Sequence, residues 1–267
     1  MGKALKGVYN RECVFVKAGG SWITFKDKPF SIDYSALKSL ANIMLRVQDV
    51  VSVVLGHGGG SFAHPVVSLF SKSDQSIALV QCNKATRSLN NLVSSFLAEA
   101  GVRAFSIQTS AMMACMDGVI ETFVKPVVKV LSKGIIPIVY GDCIACSNSY
   151  KVVSTEEVFK ALSKYIKPSR IVFLERVSGV YTKDPLVYRD AELIPVINKR
   201  NYDEVKSLLT PSPAIDVTGG MLSKVEHSLE LSKTMGIKVI IVSGFDEESS
   251  INAITSGESY RGTTIFW

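Results

Sequence analysis

A chain of 267 residues with 47% apolar and 20% charged side chains has enough material for a sizeable core, which excludes an intrinsically disordered protein. Its net charge of +6 favours anionic ligands, but the lysines and arginines are scattered, with no dense basic block and no interleaved aromatics, so nucleic-acid binding is not indicated. No uncharged apolar run reaches the roughly 18 residues of a membrane span, and the first residues lack the apolar core of a signal peptide, so the expected location is the cytoplasm.

In chain order, residues 13–18 form a β-rich run that ends at Gly19-Gly20-Ser21. Residues 33–48 place Tyr34, Leu37, Leu40, Ala41, Met44 and Leu45 at helical spacing. The β-branched run 50–56 reads as a buried parallel strand. The stretch His57-Gly-Gly-Gly-Ser-Phe-Ala-His64-Pro65 follows it and holds two of the three histidines of the chain. Ser61 is expected to cap a short helix there, with Pro65 in its first turn. Residues 76–100 predict a long helix ending at Gly101. A strand over 102–108, helices over 109–116 and 122–133, a buried strand over 134–142 and a hairpin over 144–153 come next. Thr155 is expected to cap a helix over 156–166. A strand opens the segment 170–185 and runs into a glycine-containing loop. Residues 186–216 read as a peripheral, irregular insertion with one helix near 201–209. The turn Asp216-Val-Thr-Gly-Gly220 opens a helix that ends at Gly236, and strands over 237–244 and 259–267 close the chain.

Strands alternating with helices predict one α/β domain over 1–267, an open and mostly parallel sheet sandwiched between helices. The five cysteines are Cys13, Cys82, Cys115, Cys143 and Cys146. Their odd number argues against a disulfide framework, and Cys143-x-x-Cys146 lacks a second metal-binding pair, so these two are expected to be structural thiols.

The functional signal lies in the turns after the strands. Ligands of open α/β sheets bind at the carboxyl ends of the strands. Glycine lets the backbone approach a phosphate and aim successive N–H groups at it. Gly19-Gly20-Ser21, Gly58-Gly59-Gly60-Ser61 and Gly141-Asp142 all fall at such ends, and Lys17 stands two residues before the first. Neither a Walker sequence nor G-x-G-x-x-G is present.

The elements V-K-A-G-G-S-W-I-T-x-K, G-H-G-G-G-S-F-A-H-P, V-Y-G-D, F-L-E-R-V-S-G-V-Y-T-K-D-P and D-V-T-G-G-M-L-S-K, in this order, resemble the amino acid kinase superfamily, and within it the archaeal isopentenyl phosphate kinases. The resemblance implies an amino acid kinase-like fold with an acceptor-binding half over about 1–150 and a nucleotide-binding half over about 151–267. It implies in-line transfer of the γ-phosphoryl group of ATP, with Mg²⁺, to the phosphate of isopentenyl phosphate, and a homodimer. Lys17 then matches a lysine on the transferring phosphates, and Lys26 one that stabilises the transition state. Gly19, Gly20 and Ser21 match the ATP phosphate loop. Gly59 and Gly60 match the loop between donor and acceptor, and His64 matches the residue that hydrogen-bonds the acceptor phosphate. Thr155 falls on the substrate side. Glu175, Tyr181, Lys183, Gly220 and Lys224 fall on the nucleotide side. His57 is expected to shape the turn and His227 to be a surface residue.

The chemistry is self-consistent, because phosphoryl transfer asks for positioning and charge neutralisation. A phosphate monoester is already a nucleophile, so no general base is required. Three segments depart from the pattern: Ala63 replaces the glycine of S-F-G-H, Ser154-Thr-Glu-Glu157 stands for S-G-D-D, and Glu175-Arg-Val-Ser-Gly179 for T-D-V-D-G. A fosfomycin-like phosphonate, a nucleoside monophosphate or an amino acid as acceptor stays open at this point, as does an inactive, ligand-binding regulator.

Overall fold

The computed structural model describes residues 11–70, 74–147, 149–209 and 220–267. Asp216, Val217, Thr218 and Gly219 of the late glycine turn lie outside them. The described residues form, in order, β1 (Cys13–Ala18), α1 (Gly20–Ile23), α2 (Tyr34–Val47), β2 (Ser52–His57), α3 (Gly60–Phe70) and α4 (Gln75–Glu99). β3 (Ala104–Ser106), α5 (Thr109–Met112), β4 (Met113–Met116), β5 (Val119–Thr122), α6 (Lys125–Leu131) and β6 (Ile136–Tyr140) follow. Then come β7 (Asp142–Ala145), β8 (Tyr150–Val153), α7 (Thr155–Ser163), β9 (Arg170–Glu175), β10 (Val196–Ile197) and α8 (Tyr202–Leu209). α9 (Gly220–Met235), β11 (Lys238–Ser243), α10 (Glu247–Thr255) and β12 (Gly262–Ile265) complete it.

The main sheet has the order β10-β12-β11-β9-β1-β2-β6-β3. Every pairing in it is parallel except β11 with β12. Alternation along the central strands divides the core in two. Val14, Val16, Val53, Leu55, Val172 and Leu174 pack on the side of α2, α4 and α10. Phe15, Val54, Ile171, Phe173 and Ile241 pack on the side of α6, α7 and α9. Burial on both faces is why these strands read as unbroken apolar runs. α2 starts where its sequence says, since the Asp33 carboxylate accepts the amides of Ser35 and Ala36.

The structure corrects several expectations. Residues 109–116 are not one helix: α5 is a single turn, and β4 pairs antiparallel with β5 across Asp117-Gly118. Both turn residues have positive φ, 49° and 78°, which makes Asp-Gly a hairpin signal outweighing the helical look of the methionines. The cap of α7 is Ser154, not Thr155, in a reciprocal capping box with Glu157. Ser61 is not a cap either, because α3 begins at Gly60 and Pro65 lies inside it. Proline has no N–H for the carbonyl of Ser61, and that carbonyl accepts the amide of Phe30 instead, at 3.1 Å. Cys143 is not a free thiol. It forms a disulfide with Cys82 that ties β7 to α4, while Cys115 and Cys146 are neighbours in an isolated β-bridge. The insertion contributes an edge strand, β10, which sequence patterning did not reveal.

Candidate active site

The register of β1 with β2 sets Ala18 opposite His57, so the two glycine turns leave the sheet side by side. They touch backbone to backbone. A Cβ on Gly20 would stand 2.6 Å from the amide nitrogen of Gly60, and one on Gly58 would stand 2.9 Å from that of Gly20. No side chain fits at either place, and Gly60 also holds a φ of +47°. Gly20 and Ser21 open α1 and Gly60 opens α3, so their amides have no intrahelical acceptor. Two side chains pin the turns: Thr24 accepts the Ser61 amide at 2.9 Å, and Arg176 donates to the Ser21 carbonyl at 3.3 Å while pairing with Asp33.

Beneath this junction lie two ion pairs. Lys17, on β1, is buried over the ring of Phe173 at 5.1 Å from its centroid, and its ammonium is bonded to Glu156. Burial opposes the charge of Lys17, but the carboxylates of Glu156 and Glu175 outweigh it and hold its pKa above the ordinary value. The Glu156 carboxyl feels the same burial in the opposite sense, and Lys17 holds it below its ordinary value. Glu175, the last residue of β9, receives Lys224 from α9 at 2.9 Å. Four charged groups from β1, α7, β9 and α9 thus meet behind the Gly19 turn.

His57 is buried and stacked on Tyr140, with ring centroids 5.3 Å apart. Desolvation pushes its pKa down, so the ring is neutral. Nδ1 stands 3.1 Å from the Gly58 carbonyl oxygen and Nε2 stands 3.2 Å from Asn90 Oδ1, two acceptors of which the neutral ring, with its single N–H, serves one. The His57 carbonyl accepts the hydroxyl of Thr155 at 2.7 Å and the amide of Gly141 at 3.2 Å. His57 and Thr155 therefore fix the path of the second glycine turn.

The structure brings Lys17, Gly19, Gly20, Ser21, Gly59, Gly60, Glu175 and Lys224 to one place. His64 is exposed in the first turns of α3, and Lys26 is exposed just after α1. Gly220 opens α9 one turn before Lys224. Tyr181 bridges to Leu193, and the exposed Lys183 is paired with Asp190 and lies over Tyr188. Glu156 was visible to sequence reasoning only as a departure from S-G-D-D; its pairing with Lys17 spans 139 residues.

Comparison with known proteins agrees with this arrangement. The family model described as "Amino acid kinase family" matches residues 12–243. The chain is 30% identical over 259 residues to the isopentenyl phosphate kinase of Thermoplasma acidophilum, covering 94% of this chain and 99% of the relative. It is 30% identical over 269 residues to that of Methanothermobacter thermautotrophicus, covering 94% and 98%. A crystal structure of an isopentenyl phosphate kinase superposes with a TM-score of 0.77 at 26% identity, over 95% of this chain and 100% of that one. From the sheet order, the paired glycine turns and a match over most of its length, the chain belongs to the amino acid kinase family.

Proposed function

We propose that this protein phosphorylates isopentenyl phosphate with ATP, giving isopentenyl diphosphate and ADP. The observation that carries this reading is the backbone junction of Gly20 and Gly60, where two helix-opening glycine turns meet beside the buried Lys17 and the half-buried Lys224. Full-length similarity to isopentenyl phosphate kinases supports the choice of acceptor.

The roles are those that the resemblance to the family implies. The amides of Gly20 and Ser21 face the donor phosphates, and those of Gly59 and Gly60 face the group in flight. Lys17 and Lys224 neutralise charge developing on it, and Lys26 closes on it from its exposed segment. His64 donates a hydrogen bond to the acceptor phosphate, which attacks in line without a general base. Tyr181, Lys183 and Gly220 belong to the nucleotide side of this reading, and Thr155 acts on the substrate side through the His57 carbonyl. The halves about 1–150 and 151–267 serve acceptor and nucleotide respectively. A magnesium ion carried by ATP suits the site, because the buried Glu175 Oε1 has no hydrogen-bond partner among the described residues and a carboxylate oxygen suits a hard divalent ion. When bound, the ion neutralises phosphate charge.

A homodimer is part of the proposal. The exposed Ile77, Val80 and Leu92 of α4, with Phe105 of the edge strand β3, supply apolar surface for it. A cytoplasmic location is also part of it, with the Cys82–Cys143 disulfide as an exception to the reduced state that thiols usually keep there. Among the described residues no helix is long and apolar enough to cross a membrane. Phosphorus NMR of a mixture of protein, ATP, Mg²⁺ and isopentenyl phosphate tests the activity. The diphosphate doublets of the product should grow together with ADP, and their absence would refute the reading.

A further inference from the structure

Glu175 is 3% exposed, yet its carboxylate is only half satisfied. Oε2 takes the Lys224 ammonium at 2.9 Å, whereas Oε1 has no hydrogen-bond partner among the described residues. The carboxylate lies directly under the first glycine turn: a Cβ on Gly19 would stand 2.4 Å from Oε2 and 3.0 Å from Oε1. A bare buried carboxylate oxygen is costly, and such atoms rarely persist without a use. The carboxylate is also this chain's own feature, since the sequence pattern it otherwise resembles has threonine there.

The local charges sharpen the point. Lys17 is matched by Glu156 and Lys224 by Glu175. Lys17 and Lys224 are thus neutralised one for one. A nucleotide arriving without a metal gains no net positive charge from these four groups, and Oε1 stays unpaired beneath the Gly19 turn. A hard divalent cation supplies both missing items, a charge for the phosphates and a partner for the oxygen.

We propose that Glu175 Oε1 is a ligand to the divalent ion carried by the nucleotide, so that this site selects the metal complex over free nucleotide. The inference rests on the kinase reading above and adds a protein ligand to it. Lys224 remains on Oε2, which leaves Oε1 as the atom facing the ion.

Calorimetric binding of the non-hydrolysable analogue AMP-PNP, with Mg²⁺ and with EDTA, tests this on the intact protein. In the wild type, Mg²⁺ should tighten binding. In Glu175→Gln that gain should shrink at least tenfold, with metal-free binding improved because a repelling charge is gone. Lys224→Met should weaken binding in both conditions without shrinking the gain. Should Glu175→Gln not fold, Glu175→Thr serves the same comparison. An undiminished gain in either folded variant would overturn the proposal and leave Glu175 as a support for Lys224 alone. A wild type that binds no Mg·AMP-PNP would overturn the kinase reading and this inference with it.

Discussion

Replacing Lys17 by methionine removes an ammonium and keeps most of the apolar stem that lies against Phe173. Two consequences follow from where Lys17 sits. The first is kinetic: a cation on the transferring phosphoryl group is lost, so kcat should fall by about two orders of magnitude or more, in the range of single preorganised donors. The second concerns stability and comes from Glu156. Its side chain is 13% exposed and Lys17 is its ion-pair partner. Stranding one member of a buried pair costs about 3–5 kcal/mol, or about 6–20 °C in Tm for a domain of this size. Glu156 escapes part of this cost by taking up a proton, so the loss should be smaller at low pH. The double variant Lys17→Met/Glu156→Gln separates the two effects, because it removes the stranded charge. It should recover most of the stability and none of the activity. Thermal unfolding at two pH values and steady-state kinetics on the three proteins provide the data. Lys17→Met with an unchanged Tm would refute the buried pair, and Lys17→Met with near-normal kcat would refute contact between Lys17 and the transferring group.

Three further outcomes are expected. A charge-assisted hydrogen bond from His64 to the acceptor phosphate contributes about 1.5–3 kcal/mol, so His64→Ala should lose roughly ten- to a hundredfold in kcat/KM for the acceptor and little in KM for ATP. His64→Gln should recover part of that loss, and an effect on ATP alone would mean the two substrates are reversed. Burial lowers the His57 pKa from 6.5, so the unfolded chain takes up a proton there before the folded one does. Its contribution is complete above that value and is lost as pH falls below it, by up to about 1.4 kcal/mol per pH unit. Denaturant unfolding of His57→Asn should show a shallower acid slope, and an identical slope would contradict the neutral, buried ring. The Cys82–Cys143 disulfide closes a separation of 61 residues, for which loop-closure entropy gives about 4 kcal/mol. Reduction by dithiothreitol should lower Tm, and a non-reducing peptide map should show these two cysteines linked; separate peptides would refute the pairing.

The parts of this molecule legible in its sequence are those decided locally. β1, β2, β6, β9 and β11 announce themselves because burial on both faces demands unbroken apolar runs. The glycine turns stand out because close backbone approach leaves one residue type. Other features depend on partners far along the chain. The Asp117-Gly118 hairpin was a local signal, but the surrounding methionines and alanines favour a helix, and only pairing of β4 with β5 decides between them. β10 is two residues long and exists by leaning on β12. Cys82 and Cys143 meet only because α4 packs on β7. The charge balance of the site was the least visible feature. Glu156 and Glu175 read as departures from a pattern, and their pairing with Lys17 and Lys224 requires four elements brought together by the fold.

The identity of the acceptor decides what this kinase does. Equal concentrations of isopentenyl phosphate, UMP, glutamate and fosfomycin in one tube, with limiting ATP and Mg²⁺, put the candidates in direct competition, and mass spectrometry identifies the product. Isopentenyl diphosphate should form first and in excess over every other phosphorylated species. Phosphorylation of another acceptor while isopentenyl phosphate stays unchanged would contradict it.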